Sequence, residues 1–467
     1  MLGVVAAVAI AVGCGSSGTS GEGTAGGTGG SVAGGAAGAS LGGAAGSTAA
    51  GEGGVDVTPQ PIPGIENGVV VLAWNDLGMH CLNPTYDTAV ILPPYNTIWA
   101  QVVRRGDPPQ AVTEGLTVEY SIDNNTYSYG KGEYGQFWDN CEQLFGTALD
   151  HDTGLNLSDP AQHNGLAGTM VVAATGDHFE VHGIPVVPID DDGVWNPFQV
   201  ATIVVKDAAG NVVAETKATV PTSDEIQCSK CHGQTDPFGA ILDAHDALSG
   251  TDLASAKPVL CAGCHGSPAL GLADPGTSGL FLSEAVHGFH ADQGATCYDC
   301  HPGPQTKCSR SLAHTTDDGN CVTCHGSMAD IAASIADGTR TPWADEPACV
   351  QCHPGVAQVD TGGALYRNST GHGGLACPAC HGSPHAMVPS REESDNHQAV
   401  QYQDAAVTIG SCAACHESSR GGGEEPEEFG EEHGGASPER RTACNVCHTA
   451  VPTSTASWPH AFEWTAH

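Results

Sequence analysis

One short pattern, Cys-x-x-Cys-His, occurs eight times between residues 228 and 448 and limits what this half of the chain can fold around. Two thiols three positions apart can bind the two vinyl groups of a porphyrin, and the adjacent imidazole can bind its iron. Zinc binding would explain the paired thiols but not the histidine after every pair. The sequence therefore predicts eight covalently bound haem c groups.

Each motif supplies two thioether cysteines and one proximal iron ligand. The predicted thioether cysteines are Cys228, Cys231, Cys261, Cys264, Cys297, Cys300, Cys321, Cys324, Cys349, Cys352, Cys377, Cys380, Cys412, Cys415, Cys444 and Cys447. The predicted proximal ligands are His232, His265, His301, His325, His353, His381, His416 and His448.

The spacing of the motifs predicts the architecture of residues 222–467. Successive motifs start 24 to 36 residues apart, which is too little protein to enclose each haem separately. Aromatic residues make up only 5% of the chain, so large side chains for a conventional core are scarce. We therefore expect a haem-packed domain of loops and short helices in which neighbouring haems share walls.

Ten further histidines in this region are candidates for the second axial ligand. They are His245, His287, His290, His314, His372, His385, His397, His433, His460 and His467. Several lie just upstream of a motif, where a loop could present them to a haem. Met328 and Met387 are the other soft candidates in this region. Because eight irons need at most eight second ligands, the supply permits two histidines at every iron. Such an iron has no open position for a substrate and suits electron transfer.

The N-terminus has the pattern of an exported, lipid-anchored protein. Leu2–Val12 form a small apolar run that is too short to span a bilayer, so residues 1–13 are predicted to be a signal peptide. Its end resembles the bacterial lipoprotein cleavage site, which makes Cys14 the predicted lipid anchor; a plain signal peptide with an incidental cysteine is the alternative. Gly15 after this cysteine favours the outer membrane, with the leaflet left open. No Lys or Arg precedes the run, so a start codon upstream of Met1 stays open.

Residues 14–57 and 65–221 have contrasting compositions. The first stretch is almost wholly Gly, Ala, Ser and Thr, which predicts a flexible tether. The second contains short β-branched runs between turn residues, at Val69–Trp74, Leu116–Ile122 and Ala201–Lys206, which predict an all-β, sandwich-like domain. Residues 202–214 predict a β-hairpin. The expected fold class is therefore mixed, with a β domain before the haem domain.

Three cysteines belong to none of the motifs apart from the predicted anchor. In an oxidising compartment, Cys81 and Cys141 are expected to form a disulfide. A Cys/His metal site or an axial ligand from His80 and the other histidines of the β domain is the alternative. The odd thiol, Cys308, could pair with either cysteine or stay free beside a haem.

Charge excludes one class of partner. The formal net charge is −38, with 53 acidic and 15 basic residues, whereas nucleic-acid binding needs clustered Lys and Arg. The same charge disfavours docking on anionic lipid head groups, which leaves the lipid anchor as the predicted membrane contact. It either steers basic partners or merely solvates the surface.

The eight motifs, together with the segment Trp74-Asn-Asp-Leu-Gly-Met-His-Cys81, resemble the exported multihaem c-type cytochromes of metal-reducing bacteria. The resemblance implies an electron conduit in the periplasm or on the outer surface, serving redox partner proteins or an extracellular acceptor such as a metal oxide. The alternative is an octahaem oxidoreductase acting on a nitrogen or sulfur oxyanion. No CxxCK motif, a frequent sign of an open iron in such enzymes, occurs. We therefore expect an electron carrier with no catalytic residues; self-assembly into an oligomer or filament stays open.

Overall fold

A computed structural model describes residues 67–106, 108–314, 321–351, 365–411 and 414–416, except for the side chains of Val350 and His372, and the structural statements below concern this part of the chain. The predicted signal peptide, the tether and Cys14 lie outside it. Within this part, no helix is both long enough and apolar enough to cross a membrane.

The β-rich part is built from two five-stranded sheets. The first has the order β1-β4-β9-β8, with β5 also paired to β4; its strands are β1 (Val69–Trp74), β4 (Thr97–Arg104), β5 (Gln110–Ala111), β8 (Val171–Val172) and β9 (Phe179–His182). The second has the order β2-β11-β10-β6-β7; its strands are β2 (His80–Cys81), β6 (Leu116–Ile122), β7 (Ala167–Thr169), β10 (Phe198–Asp207) and β11 (Val212–Ser223).

The two sheets face each other across a shared hydrophobic core. Ile98 and Val102 of β4 lie in the same buried cluster as Val118 of β6 and Ile203 of β10. Burial alternates along β10, as expected for a strand with one face in the core and the other toward solvent. The β-rich fold expected for this part is therefore confirmed, and the predicted strands at Val69–Trp74 and Leu116–Ile122 have the observed bounds.

The predicted hairpin is also confirmed. Strands β10 and β11 pair antiparallel from Phe198 opposite Pro221 to Lys206 opposite Val212. Between them, the Asp207 carboxylate accepts hydrogen bonds from the backbone N–H groups of Ala209 and Asn211, at 2.9 and 2.8 Å. Asp is a frequent turn residue because its short side chain can satisfy the backbone in this way.

A second hydrophobic cluster lies around helix α1 (Gly135–Phe145), which buries Phe137, Trp138, Cys141 and Leu144. Nearby, the short strand β3 (Ala89–Val90) pairs in parallel with β12 (Val259–Leu260). This pair links the β-rich part to the part of the chain that carries the motifs.

The rest of the described chain consists of short helices and loops, as predicted. The α-helices are α2 (Ser229–His232), α3 (Pro237–Ser249), α4 (Leu282–His290), α5 (Cys297–Cys300), α6 (Cys321–His325), α7 (Met328–Ala336), α8 (Cys377–His381) and α9 (His397–Gln403). The 3₁₀ turns are Cys261–Gly263, Pro268–Leu270, Cys349–Gln351, Tyr366–Asn368, His372–Gly374 and Glu393–Asn396. These elements bring the motifs together.

Strand β1 joins the two parts of the molecule because both of its faces are covered. Val71 on one face lies in the sandwich core, whereas Leu72 on the other face lies in a cluster with Ala379 of α8 and Tyr402 of α9. The Tyr402 hydroxyl donates a hydrogen bond of 2.6 Å to the backbone carbonyl of Val71. The motif-bearing part therefore packs directly on the first sheet. The predicted division into domains near residue 221 stays a prediction.

Candidate functional site: facing imidazole pairs

The motifs adopt single turns of helix in the part of the chain that the structure describes. In the first three motifs, the backbone N–H of the histidine donates to the carbonyl of the first cysteine, at 2.9, 3.0 and 2.8 Å. The fourth and sixth motifs form α6 and α8 in full. A helical turn places residues three positions apart on the same side, so both cysteines of a motif can reach one edge of a porphyrin.

Four motif histidines each face a second histidine. The ring centroids of His232 and His290 are 6.3 Å apart, and those of His265 and His245 are also 6.3 Å apart. The corresponding distances are 6.1 Å for His301 and His287 and 6.1 Å for His325 and His385. Every pair therefore joins one predicted proximal ligand to one predicted distal ligand.

This separation matches the span of one metal ion between two imidazoles. An imidazole nitrogen binds a transition metal at roughly 2.0–2.1 Å, and the ring centroid lies roughly 1.2 Å behind that nitrogen, so two axial imidazoles place their centroids roughly 6.4 Å apart. Aromatic rings in ordinary cores also pack with centroids about 4.5–7 Å apart. The narrow range of 6.1–6.3 Å in four separate pairs, each containing one motif histidine, favours the ligand geometry.

The second histidine of each pair has its Nδ1 atom hydrogen-bonded. His287 and His290 on α4 bond the carbonyls of Ser283 and Val286 at 2.7 and 2.8 Å. His245 bonds the Thr251 hydroxyl at 2.9 Å. For the fourth pair, the acceptor of the His385 Nδ1 atom is the Leu77 carbonyl, at 2.9 Å. Because Nδ1 is occupied, Nε2 is the nitrogen left for the iron, which is the usual arrangement of metal-binding histidines.

Partial burial favours the neutral form of several of these imidazoles, although the His301 residue as a whole is exposed. It lowers the pKa of His301 to about 4, with His287 and His325 adding to the shift. Burial also lowers the pKa of His325 to about 4, and the neighbouring His385 contributes. The pKa values of His232, His287 and His385 are lowered as well, in each case first by burial. A neutral imidazole has the free lone pair that a metal ligand needs.

The first motif lies beside both the second and the third. Burial, followed by the nearby thiols Cys300 and Cys261, raises the pKa of Cys228 to about 11. Lys230 donates a hydrogen bond of 2.6 Å to Asp299, inside the third motif. Helix α4 also connects these motifs, because its His290 faces the first motif and its His287 faces the third.

The third motif contacts the fourth in turn. The Cys321 thiol is hydrogen-bonded to the Cys297 thiol. Burial, and then the Cys297 thiol, raise the pKa of Cys321. Helix α4 packs on α7, where a Cβ added at Gly288 would lie 3.4 Å from that of Ala332. The spatial order of the four imidazole pairs is therefore second, first, third, fourth, which differs from their order in the sequence.

Three later motifs form another group. Tyr366 is 5% exposed, and its pKa is raised by burial and then by Cys377, Cys349 and Cys380 of the fifth and sixth motifs. Burial and the neighbouring Cys415 of the seventh motif raise the pKa of Cys380 to about 12. The sixth and seventh motifs therefore lie next to each other and against the first sheet.

The other predicted ligands lie partly inside and partly outside the described residues. His314, His381 and His416 lie in the described part of the chain, outside the four pairs above. For His397, burial lowers the pKa, followed by the charge of Lys217. The described part does not include the side chain of His372 or any atom of Cys352, His353, Cys412, His433, Cys444, Cys447, His448, His460 and His467.

The predicted Cys81–Cys141 disulfide is not formed in the structure, where both thiols are free. Cys141 is buried within the cluster around α1. Cys81 lies in β2 opposite Ser223, whose hydroxyl contacts that of Thr306 at 2.8 Å. After burial, the charge of Cys308 also raises the pKa of Cys81. The structure therefore brings Cys81 toward Cys308, the other partner that the sequence left open.

The alternative metal site in the β-rich part gains no support. Among the described residues, no group of three or more His, Cys, Asp and Glu side chains has the arrangement to hold a metal ion. His80 instead bonds the Asp76 carboxylate at 2.8 Å, and both side chains are buried.

The residues that hydrogen-bond the imidazole rings could not be recognised from the sequence. Thr251 and Ser278 bond the Nδ1 atoms of His245 and His265, each at 2.9 Å. A hydroxyl residue six or thirteen positions after a histidine is too common to be a signal. Leu77 contributes a backbone carbonyl, and every residue has one, so its residue type gives no signal.

Comparison with known proteins identifies one family model that matches part of the chain. The family model "Cytochrome c554 and c-prime" matches residues 330–382, which contain the fifth and sixth motifs. The match supports a c-type cytochrome, haem c as its cofactor and electron transfer by a cytochrome. A search of curated protein sequences found no match.

Among solved structures, the chain is similar to the crystal structure of MtrC from Shewanella baltica OS185, at 13% sequence identity and a TM-score of 0.16. The similarity covers 58% of this chain and 45% of that chain. The chain thus spans less than half the length of that protein.

Proposed function

We propose that the chain is a noncatalytic electron carrier with eight covalently bound haem c groups, exported and attached to the outer membrane through Cys14. The observation that carries the proposal is the set of four facing imidazole pairs, each at the spacing of one metal ion. The eight motifs and the family match over residues 330–382 support the cofactor.

Haem c, when bound, supplies reversible one-electron chemistry at its iron. The chain's own contribution is to occupy both axial positions. His290, His245, His287 and His385 would hold the iron from the side opposite the motif histidines, and their Nδ1 hydrogen bonds orient the rings. An iron held by two protein imidazoles would have no open position for a substrate, which favours electron transfer over catalysis.

The location and the partners belong to the same proposal. The small apolar run before Cys14 and the Gly/Ala/Ser/Thr tether after it support export and anchoring. The resemblance to the cytochromes of metal-reducing bacteria supports redox partner proteins or an extracellular acceptor as the exchange partners of the chain.

Electron paramagnetic resonance of the oxidised, haem-loaded protein, together with haem and iron counts per chain, tests the proposal. We expect eight haems, all low-spin. The ring planes of the third and fourth pairs lie 13° and 21° apart, whereas those of the first and second lie 76° and 82° apart. Near-perpendicular axial rings leave two iron d orbitals closer in energy, so two classes of low-spin signal are expected, with larger g anisotropy for the first and second pairs.

A matched pair of variants assigns the signal. His290→Ala removes the ring opposite His232 and should convert one haem equivalent to high-spin, with loss of a strongly anisotropic signal. His163→Ala removes an exposed histidine of the β-rich part and should change nothing. One stoichiometric high-spin iron in the unmodified protein would overturn the carrier proposal in favour of the oxyanion oxidoreductase.

A further inference from the structure

The segment Asn75–His80, here named the anchoring turn, is held rigidly by its own polar groups. The Asn75 side-chain oxygen accepts hydrogen bonds from the backbone N–H groups of Leu77 and Gly78, at 3.2 and 2.7 Å. The Asn75 amide group donates to the Thr97 carbonyl at 2.9 Å, at the start of β4. The turn is thus fixed to the β-rich part of the molecule.

The carbonyls of the anchoring turn point toward the segment that carries His385. The Leu77 carbonyl accepts from both the ring Nδ1 and the backbone N–H of His385, at 2.9 and 3.3 Å. The Ser383 hydroxyl donates to the Asn75 carbonyl at 2.6 Å. Arg310, which is 2% exposed, donates to the Gly78 carbonyl at 2.8 Å. The bonds at the Leu77 and Asn75 carbonyls therefore hold the His385 segment against the turn.

His385 differs in this respect from the second histidine of the other three pairs. His287 and His290 bond carbonyls four residues earlier in their own helix, and His245 bonds a hydroxyl six residues later. The acceptor for His385 lies 308 residues earlier in the chain. Its ring is therefore the one of these four that is oriented by a distant part of the fold.

Close packing makes Gly78 the critical position of the turn. Its φ angle is +81°, and a Cβ atom added there would lie 2.9 Å from the Cβ atom of Ser383 and 3.3 Å from the backbone nitrogens of His385 and Ala386. A side chain at position 78 must therefore push the His385 segment away from the Leu77 carbonyl.

We propose that the anchoring turn is a positioning element for the fourth motif, because the Leu77 carbonyl orients the His385 ring toward His325 and Gly78 permits the close approach this needs. This inference rests on the proposed function, since it assigns a role at one of the proposed axial ligand pairs. It gives a purpose to the segment from Trp74 to Cys81, which lies far from every motif in the sequence.

The expected effect is on one haem only. A hydrogen bond from Nδ1–H to a carbonyl fixes the tautomer and raises the basicity of the coordinating nitrogen. A more basic ligand stabilises the oxidised iron, so weakening the bond raises the reduction potential of the haem at the fourth motif. A larger displacement of the ring removes the ligand.

Gly78→Ala in the full-length, haem-loaded protein tests the inference. We expect one haem equivalent to become high-spin or to show a raised midpoint potential in a spectroscopic redox titration, with the other haems unchanged. Gly115→Ala is the matched control, because Gly115 has a similar φ of +70° but a Cβ atom there would meet no atom within 4 Å. Adding Ser383→Gly to Gly78→Ala removes the closest contact and should restore part of the original signal.

The milder variant Ser383→Ala covers the case in which Gly78→Ala fails to fold. It removes the 2.6 Å bond to Asn75 without adding an atom, and it should raise one midpoint potential without a change of spin state. Low-spin spectra and potentials identical to those of the unmodified protein would overturn the positioning role while leaving the proposed function intact. An equal change in Gly115→Ala would also overturn it. Failure of the proposed function is separate, because it would appear in the unmodified protein.

Discussion

Arg310 joins its own segment to two distant ones through its guanidinium group, so loss of this group should lower the free energy of unfolding. Its Nε and Nη2 atoms donate to the two carboxylate oxygens of Asp395, at 2.8 and 3.0 Å. Its Nη1 atom donates to the Gly78 carbonyl at 2.8 Å. The side chains of the ion pair are only 2% and 4% exposed. Both charges are therefore shielded from water and depend on each other.

Arg310→Met is the perturbation, because methionine keeps an unbranched apolar side chain but removes the guanidinium group, whose carbon lies 4.9 Å from the centroid of the Phe198 ring. It leaves the Asp395 carboxylate buried without its partner. Removal of one member of a buried, hydrogen-bonded ion pair costs about 3–5 kcal/mol. We expect a loss of free energy of unfolding in this range.

Denaturant unfolding of the haem-loaded protein, followed by far-ultraviolet circular dichroism, measures this loss as a lower midpoint at unchanged slope. Lys206→Met is the matched control. Lys206 pairs with Glu119 at 2.6 Å, but their side chains are 31% and 40% exposed. Such a pair contributes about 0–1 kcal/mol. Equal shifts in the two variants would refute the argument that burial makes the Arg310 pair important.

Two further predictions concern the anchoring turn and its neighbour. Burial opposes ionisation of Asp76, but the charge and hydrogen bond of His80 outweigh it and lower the pKa to about 2, from 3.8. The ionised carboxylate therefore adds roughly 2 kcal/mol of stability above pH about 4, and this stability is lost as the pH falls toward 2. In urea titrations at several pH values, the free energy of unfolding of Asp76→Asn should not fall in this way between pH 4 and pH 2. A fall as steep as that of the unmodified protein would contradict the prediction. Oxidation by a small-molecule disulfide, which accepts the two electrons and releases two thiols, should join Cys81 to Cys308; peptide mapping that finds Cys81 joined to Cys141 would contradict the observed arrangement.

The strands were predictable where one local pattern determined them. Strand β1 is a continuous β-branched and apolar run, and the hairpin between β10 and β11 has turn residues between two such runs. That β1 is buried on both faces was not predictable, because its second cover comes from Tyr402 and other residues far along the chain. The local sequence predicts the strand but not the distant residues that pack on its second face.

For the candidate site, the sequence likewise predicted the residues but not their pairing. The motif histidines and the second histidines of all four pairs were predicted by residue type and region. The pairing was not, because His287 and His290 are separated by one helical turn and face different motifs. His290 lies in helix α4, whereas the sequence allowed for a loop before the third motif. Which ring faces which motif depends on the rotation of α4, and this is set by packing on α7.

The sharing of α4 between two motifs has a consequence for how the protein matures. His232 is synthesised well before His290, so the first motif must wait for α4 to receive its partner ring. The fourth motif likewise waits for His385, and the turn that holds His385 is synthesised before any motif. Because contacts between residues distant in sequence form slowly, we expect the His385 segment to close onto the β-rich part late in the assembly of the four-pair array.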